Sequence, residues 1–154
     1  LMAGGGYYLL DTNVLLPWLR GAKVCETIDG QFHLTESGFR PLICEVTLGE
    51  NEAFAMSSKW GEPRKAKHAE IQTKLVVVDL TDDRIIRAYA ELSTLAKEQS
   101  LAIFHDKNDL WIAPATRVSG ATVLTTDAKA FKPLRDGKHL DAVVLDPHTG
   151  WQVP

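Results

Sequence analysis

The sequence predicts an α/β fold, a three-layer parallel sheet flanked by helices. Short apolar runs alternate with segments of helical periodicity along the whole chain, which is typical of this class. The clearest run, Lys74-Leu75-Val76-Val77-Val78-Asp79-Leu80, is apolar without alternation, as expected of a buried parallel strand. Parallel neighbours require crossover connections, which are right-handed.

The N-terminal half is predicted to contain three helices and two strands before that run. In chain order, these are a strand over 7–10, a helix over 12–20, a strand over 41–44, and helices over 46–58 and 63–74. Pro17 is compatible with the first helix only near its start or at a bend. Residues 21–39 are ambiguous, because their apolar positions loosely follow a helical period that Gly30 weakens.

The C-terminal half is predicted to contain two helices and two strands. Ile85, Tyr89, Leu92 and Ala96 share one face of a helix over about 81–99. A second helix covers about 108–119 and ends at Gly120, a typical helix C-cap. Strands follow over 121–125 and 142–145.

Length and composition fit a single globular domain. The 154 residues are 45% hydrophobic and 24% charged, and no apolar run approaches the roughly 18 residues of a membrane span. We expect one domain over residues 7–154 and an added or unstructured segment over residues 1–6. The two cysteines are too few for a disulfide scaffold, which favours a cytoplasmic protein.

Aspartates follow two of the predicted strands. Asp11 comes directly after the first strand, and Asp127 ends the run Leu124-Thr125-Thr126-Asp127. The carboxyl ends of parallel strands share one edge of a sheet, where α/β proteins hold ligands. The alternative is that each aspartate is only a helix N-cap.

Further acids lie on predicted helices. Asp109 shares a helix face with apolar Ile112 and Ala113, and a buried carboxylate there needs a partner. Glu50 and Glu52 both lie among apolar residues on the helix over 46–58, and periodicity does not choose between them. Together these acids are consistent with a site for Mg²⁺ or Mn²⁺, which prefer oxygen ligands.

The net charge of −3 is unusual for a protein that binds nucleic acid. Two divalent cations among four carboxylates would add four positive charges and change −3 to +1. The formal charge therefore does not exclude a nucleic-acid substrate.

The chain resembles the PIN-domain ribonucleases, most closely the toxin nucleases of the VapC-like group. The motifs that carry the resemblance occur in the family order and span most of the chain. They are Leu10-Asp11-Thr12-Asn13-Val14-Leu15, Val46-Thr47-Leu48-Gly49-Glu50, Asn108-Asp109-Leu110-Trp111-Ile112-Ala113, and Leu124-Thr125-Thr126-Asp127 with Phe131. Each motif alone is weak, whereas the ordered set is specific.

The resemblance implies a function and a set of site residues. The function is metal-dependent endoribonuclease activity with Mg²⁺ or Mn²⁺, in a dimer silenced by an antitoxin protein. The implied acidic residues, which are both catalytic and metal-binding, are Asp11, Glu50, Asp109 and Asp127. The resemblance thus chooses Glu50 over Glu52. It also implies that Asn13 and Thr125 orient the carboxylates, as outer groups do at metal sites.

Several charged residues have two open interpretations. Lys129 and Lys132, which follow Asp127, either contact RNA phosphates or are ordinary surface residues. The basic residues over 59–74 form either a solvated helix face or an RNA contact. Asp106 is either a helix cap or an additional acid near the metal, and His105 either binds a ligand or is polar surface.

Two other functions are possible on the same residues. One is a catalytically idle PIN fold that binds RNA or protein, against which the retention of all four acids argues. The other is a phosphatase of the haloacid-dehalogenase type, which also places Asp after its first strand. That chemistry requires a second acid two residues later, where this chain has Asn13.

Overall fold

The computed structural model describes residues 6–35 and 40–154, in which the chain forms seven α-helices and six strands. The strands are β1 (Tyr8–Leu10), β2 (Leu42–Cys44), β3 (Val76–Val78), β4 (Thr122–Thr125), β5 (Asp141–Leu145) and β6 (Gln152–Val153). The helices are α1 (Thr12–Leu19), α2 (Val24–Phe32), α3 (Glu45–Ser57), α4 (Glu62–Gln72), α5 (Asp83–Glu98), α6 (Asp109–Ser119) and α7 (Ala128–Asp136), with a 3₁₀ helix over Ala102–His105.

All strands belong to one sheet, in the order β3-β2-β1-β4-β5-β6. The first five strands are parallel, whereas β6 pairs antiparallel with β5. The predicted parallel sheet is confirmed for these five strands, and β6, which was not predicted, adds an antiparallel edge. The Asp146 carboxylate accepts hydrogen bonds from the backbone N–H groups of His148 and Thr149, at 2.8 Å each. This tight turn is too short for a crossover, so the chain returns antiparallel.

Hydrophobic side chains pack on both faces of the sheet, which confirms the three-layer α/β prediction. Leu9 and Val123 point to the face covered by α5, α6 and α7, while Leu10 and Leu124 point to the face covered by α1, α2 and α4. All four are fully buried, as expected for the central strands β1 and β4. Successive residues of a strand face opposite sides, so both strands contribute to both cores.

The predicted buried strand over residues 74–80 is shorter and more exposed than expected. Only Val76–Val78 pair, and the strand lies at the edge of the sheet beside β2. Val76 is 36% exposed and Val77 is 42% exposed. The parallel direction is confirmed, but the prediction of burial is wrong, because position in a sheet depends on strand order rather than on local composition.

The helices differ from their predictions in three places. The ambiguous segment over 21–39 contains α2. Residues 36–39 of that segment lie outside the described part of the chain, and so do residues 1–5. The sequence reading missed α7 entirely. Pro17 lies in the interior of α1 rather than near its start. Gly120 ends α6 with a φ of 69°, as predicted.

No helix in the described ranges combines the length and the apolar character needed to cross a membrane.

Candidate metal centre

The two strands that precede Asp11 and Asp127 are neighbours. β1 and β4 pair in parallel with Leu10 opposite Leu124, and the backbone N–H of Asp11 donates to the carbonyl of Leu124 at 3.0 Å. Both aspartates therefore lie at the carboxyl edge of the sheet. The pairing joins segments more than one hundred residues apart, which no local pattern specifies.

Asp11 is 3% exposed, and its carboxylate accepts three hydrogen bonds. One carboxylate oxygen accepts from the backbone N–H of Thr12 at 2.7 Å, so Asp11 caps α1. The other accepts from the Thr125 hydroxyl at 2.7 Å and from the Asn13 amide at 3.0 Å. Asp11 is thus a helix cap and part of a shared carboxylate network.

Burial raises the pKa of Asp11 from 3.8 to about 6. Hydrogen bonds from Thr125 and Thr12 oppose this increase because they favour the ionised form. The charges of Glu50 and Asp127 add to it. These Coulomb interactions place Glu50 and Asp127 within electrostatic range of Asp11.

Asn13 and Thr125, predicted to orient carboxylates, connect the start of α1 to the end of β4 and the loop that follows it. The Asn13 side-chain oxygen accepts from the backbone N–H of Thr126 at 3.0 Å. The Thr125 hydroxyl, which is fully buried, accepts from the backbone N–H of Asp127 at 2.9 Å while it donates to Asp11. Each residue therefore contacts Asp11 and the segment that carries Asp127.

Asp127 begins α7. One of its carboxylate oxygens accepts from the backbone N–H of Ala130 at 3.0 Å, so it caps that helix. Its side chain is half-buried, in contrast to the enclosed carboxylate of Asp11.

Asp109 is the most perturbed acid in the described structure. It is the first residue of α6 and is 7% exposed. Burial and then the charges of Asp11, Asp106, Asp127 and Glu50 raise its pKa from 3.8 to about 8. A carboxyl group with this pKa is mainly protonated at neutral pH in the metal-free protein.

Asp106 bonds to the backbone at the start of α6, although the N-cap position of that helix is occupied by Asn108. One of its carboxylate oxygens accepts from the backbone N–H groups of Asn108 and Asp109, at 3.1 Å each. Its charge also raises the pKa of Asp109, so Asp106 lies close to the acidic residues as well. His105 is exposed and packs edge-on against Phe104, with ring centroids 5.5 Å apart.

The structure distinguishes Glu50 from Glu52. Glu50 is half-buried, and its carboxylate accepts from the Thr12 hydroxyl at 2.6 Å. Glu52 is exposed on the same helix, α3. Thr12 is the residue next to Asp11, so this bond brings Glu50 to the edge of the sheet that carries Asp11.

The four predicted acids therefore interact with one another at a single edge of the sheet. Over residues 6–35 and 40–154, however, no group of three or more His, Cys, Asp or Glu side chains is arranged as a preformed metal site. The two observations are compatible, because Coulomb coupling extends further than a metal–ligand bond and three of the acids hold their own hydrogen-bond partners. The donor set consists of oxygen atoms, which fits Mg²⁺ or Mn²⁺.

The PIN domain family profile matches residues 8–135 of this sequence. This range contains β1 to β4, all but the last residue of α7, and all four acids. The chain belongs to the PIN domain family. No curated protein matches the chain.

Solved structures share the fold of this PIN domain. VapBC2 from Rickettsia felis, solved with a DNA fragment from its promoter, is 23% identical, with a TM-score of 0.75 over 91% of this chain and 99% of that one. VapBC-1 from nontypeable Haemophilus influenzae is 21% identical, with a TM-score of 0.68 over 90% and 97%. FitAcB from Neisseria gonorrhoeae is 17% identical, with a TM-score of 0.56 over 92% and 98%.

The candidate RNA-contacting lysines of the PIN domain lie on α7, directly after Asp127. Lys129 is exposed and Lys132 is half-buried. Sequence reasoning missed two other residues, Thr12 and Thr47, whose hydroxyl groups lie 3.1 Å apart beside Glu50. Both threonines lie within the quoted motifs, but only the contact between α1 and α3 shows that their hydroxyl groups meet beside Glu50.

Proposed function

We propose that this PIN domain is a metal-dependent endoribonuclease that hydrolyses RNA phosphodiester bonds, and that it is the toxin of a toxin–antitoxin pair. The observation that carries the proposal is the electrostatic coupling of Asp109 to Asp11, Asp127 and Glu50 at the carboxyl edge of the sheet. Buried carboxylates that raise one another's pKa are costly to a fold and are typical of functional sites.

In this proposal Asp11, Glu50, Asp109 and Asp127 hold Mg²⁺ or Mn²⁺. Bound at such a site, these ions lower the pKa of a water nucleophile and stabilise the leaving oxygen of a phosphodiester. The carboxyl group of Asp109 must lose its proton before it can bind a cation, because a metal ligand has to be deprotonated. Cation binding and proton release are therefore coupled at Asp109.

Asn13 and Thr125 keep the carboxylate of Asp11 in place. Together they donate two hydrogen bonds to one of its oxygens, at 3.0 and 2.7 Å, and so fix its orientation before substrate binds. Groups that orient metal-binding carboxylates in this way tune both affinity and activity.

Lys129 and Lys132 are proposed to bind the RNA phosphates. Both lie within five residues of Asp127, on the helix that Asp127 caps. Positive side chains there offset the acidic cluster that would otherwise repel RNA, and phosphate contacts position the backbone without reading sequence. RNA binding should consequently depend strongly on salt.

The biological role rests on the structural relatives. The Rickettsia felis and Haemophilus influenzae structures are those of VapBC2 and VapBC-1. Together with the resemblance of the sequence to the VapC-like toxin nucleases, they support an antitoxin protein as the partner of this chain. A homodimer and a cytoplasmic location complete the proposal.

The test is an RNA cleavage assay with purified protein, with EDTA or with Mn²⁺. The unchanged chain should cleave RNA only with Mn²⁺, and Asp127→Asn should be inactive. Asp141→Asn, which changes an exposed acid on β5, serves as the control and should retain activity. Absence of both cleavage and a Mn²⁺-dependent thermal shift would instead support the idle binding module.

A further inference from the structure

Three buried or half-buried oxygens form a chain of hydrogen bonds beside Asp11. The Thr12 hydroxyl lies 2.6 Å from the Glu50 carboxylate and 3.1 Å from the Thr47 hydroxyl. Thr47 is fully buried and Thr12 is 7% exposed. Thr47 and Glu50 are three residues apart on α3, so they share the helix face that meets Thr12 on α1.

The number of available protons determines which group donates in each of these two hydrogen bonds. A hydroxyl group has one proton, and an ionised carboxylate can only accept. The short 2.6 Å contact requires the Thr12 proton to point to Glu50, so the Thr47 hydroxyl must supply the proton shared between the two threonines. The Thr47 hydroxyl forms no other hydrogen bond within residues 6–35 and 40–154.

Thr12 also contacts the neighbouring acid. Its backbone N–H donates to Asp11 at 2.7 Å, while its hydroxyl donates to Glu50. Thr12 therefore bonds to two neighbouring carboxylates, that of Asp11 at the N-cap of α1 and that of Glu50 on α3. Without such bonds, the repulsion between Asp11 and Glu50 would favour rotation of the Glu50 side chain away from the cluster.

We propose that Thr47 is a positioning residue that acts through Thr12 to hold Glu50 in the orientation needed for cation binding. The inference rests on the proposed metal-dependent function, but it concerns the position of Glu50 as well as the reaction. Thr47 does not touch the substrate or the cation; it fixes the Thr12 hydroxyl, which in turn fixes Glu50.

The experiment uses isosteric and conservative variants of the full chain. Thr47→Val removes the hydroxyl and keeps the shape, and Thr47→Ser keeps the hydroxyl. Thr12→Val removes the hydroxyl that donates to Glu50, and it provides a second test if Thr47→Val does not fold. Thr116→Val is the matched control, because Thr116 is also fully buried but donates within its own helix, to Ile112 at 2.8 Å.

Two measurements decide the outcome. Crystal structures of the metal-free proteins should show Glu50 in one rotamer in the unchanged chain, Thr47→Ser and Thr116→Val, and in several rotamers in Thr47→Val and Thr12→Val. Calorimetry should show Mn²⁺ affinity about tenfold weaker in Thr47→Val and Thr12→Val, the lower end of the effect of outer groups at metal sites. Thr47→Ser and Thr116→Val should stay within about twofold of the unchanged chain, well inside that tenfold effect.

A single Glu50 rotamer in Thr47→Val, or unchanged Mn²⁺ affinity despite a mobile Glu50, would overturn the inference. Failure of the proposed function looks different, because the unchanged chain would then neither bind Mn²⁺ nor cleave RNA. In that case the rotamers of Glu50 still decide whether Thr47 positions it.

Discussion

Replacement of Asp109 by Asn should stabilise the metal-free protein, and the gain should grow with pH. In the folded protein the pKa of this carboxyl is about 8, against 3.8 for an unperturbed Asp. Because the folded protein holds the Asp109 proton more tightly than the unfolded chain does, the stabilisation by protonated Asp109 is fully present below pH 3.8. This stabilisation is lost as the pH rises to about 8. An Asn side chain has the same shape and does not titrate.

The size of the effect follows from the same two values. At about 1.4 kcal/mol per pKa unit, the interval from 3.8 to about 8 corresponds to a limiting cost of about 6 kcal/mol above pH 8. Between pH 5 and pH 8.5 the advantage of the Asn variant should therefore grow, by up to about 4 kcal/mol.

The assay is urea unfolding of both proteins in EDTA at pH 5, 7 and 8.5, with Asp141→Asn as an exposed control that should show no such trend. Addition of Mn²⁺ should then stabilise the original protein, because a ligand that binds only the folded state raises its stability, and it should stabilise Asp109→Asn much less. If Asp109→Asn destabilises the metal-free protein at pH 8.5, Asp109 is a structural hydrogen-bond partner and the site is wrong at that residue.

Three further outcomes are expected. Mn²⁺ affinity measured by calorimetry should increase from pH 5.5 to pH 8.5, because Asp11 and Asp109, with pKa values of about 6 and about 8, must lose their protons to bind the cation; a flat profile would contradict this. Replacement of Lys129 and Lys132 by Ala should reduce the slope of log RNA affinity against log salt concentration by about two, one released counterion per lost phosphate contact. If instead only replacement of the lysines over 59–74 reduces this slope, the RNA binds elsewhere. Thr125→Val should weaken Mn²⁺ binding about tenfold, whereas equal affinities would show that Thr125 does not orient Asp11.

Local sequence patterns predicted much of the fold. The four-, three- and four-residue steps of Ile85, Tyr89, Leu92 and Ala96 predicted a helix face, and Ile85, Leu92 and Ala96 are buried in α5 while Tyr89 stacks on Trp111. Helix caps and strand ends are equally local, because they depend on neighbouring residues. Sequence alone therefore placed Asp11 and Asp127 after their strands and Asp109 in the first turn of its helix.

Strand order could not be read from local patterns. The run around Val77 has the composition of a buried strand, yet it lies at the sheet edge, while the equally short β1 lies at the centre. Hydrophobic periodicity records which faces are covered, whereas the position of a strand depends on pairings between distant segments. The helix α7 was missed because Pro133 interrupts its nine residues, although Ala130, Phe131 and Leu134 form a buried face.

For the candidate site, the sequence determined which carboxylates are available, and the tertiary structure decided how they interact. The resemblance to the PIN ribonucleases chose Glu50 over Glu52, and the structure adds the bond from Thr12 that holds it. The raised pKa of Asp109 arises from burial and from the charges of Asp11, Asp106, Asp127 and Glu50. Of these, only Asp106 is a near neighbour of Asp109 along the chain. Such an environment depends on distances in three dimensions, so only the folded structure can produce it.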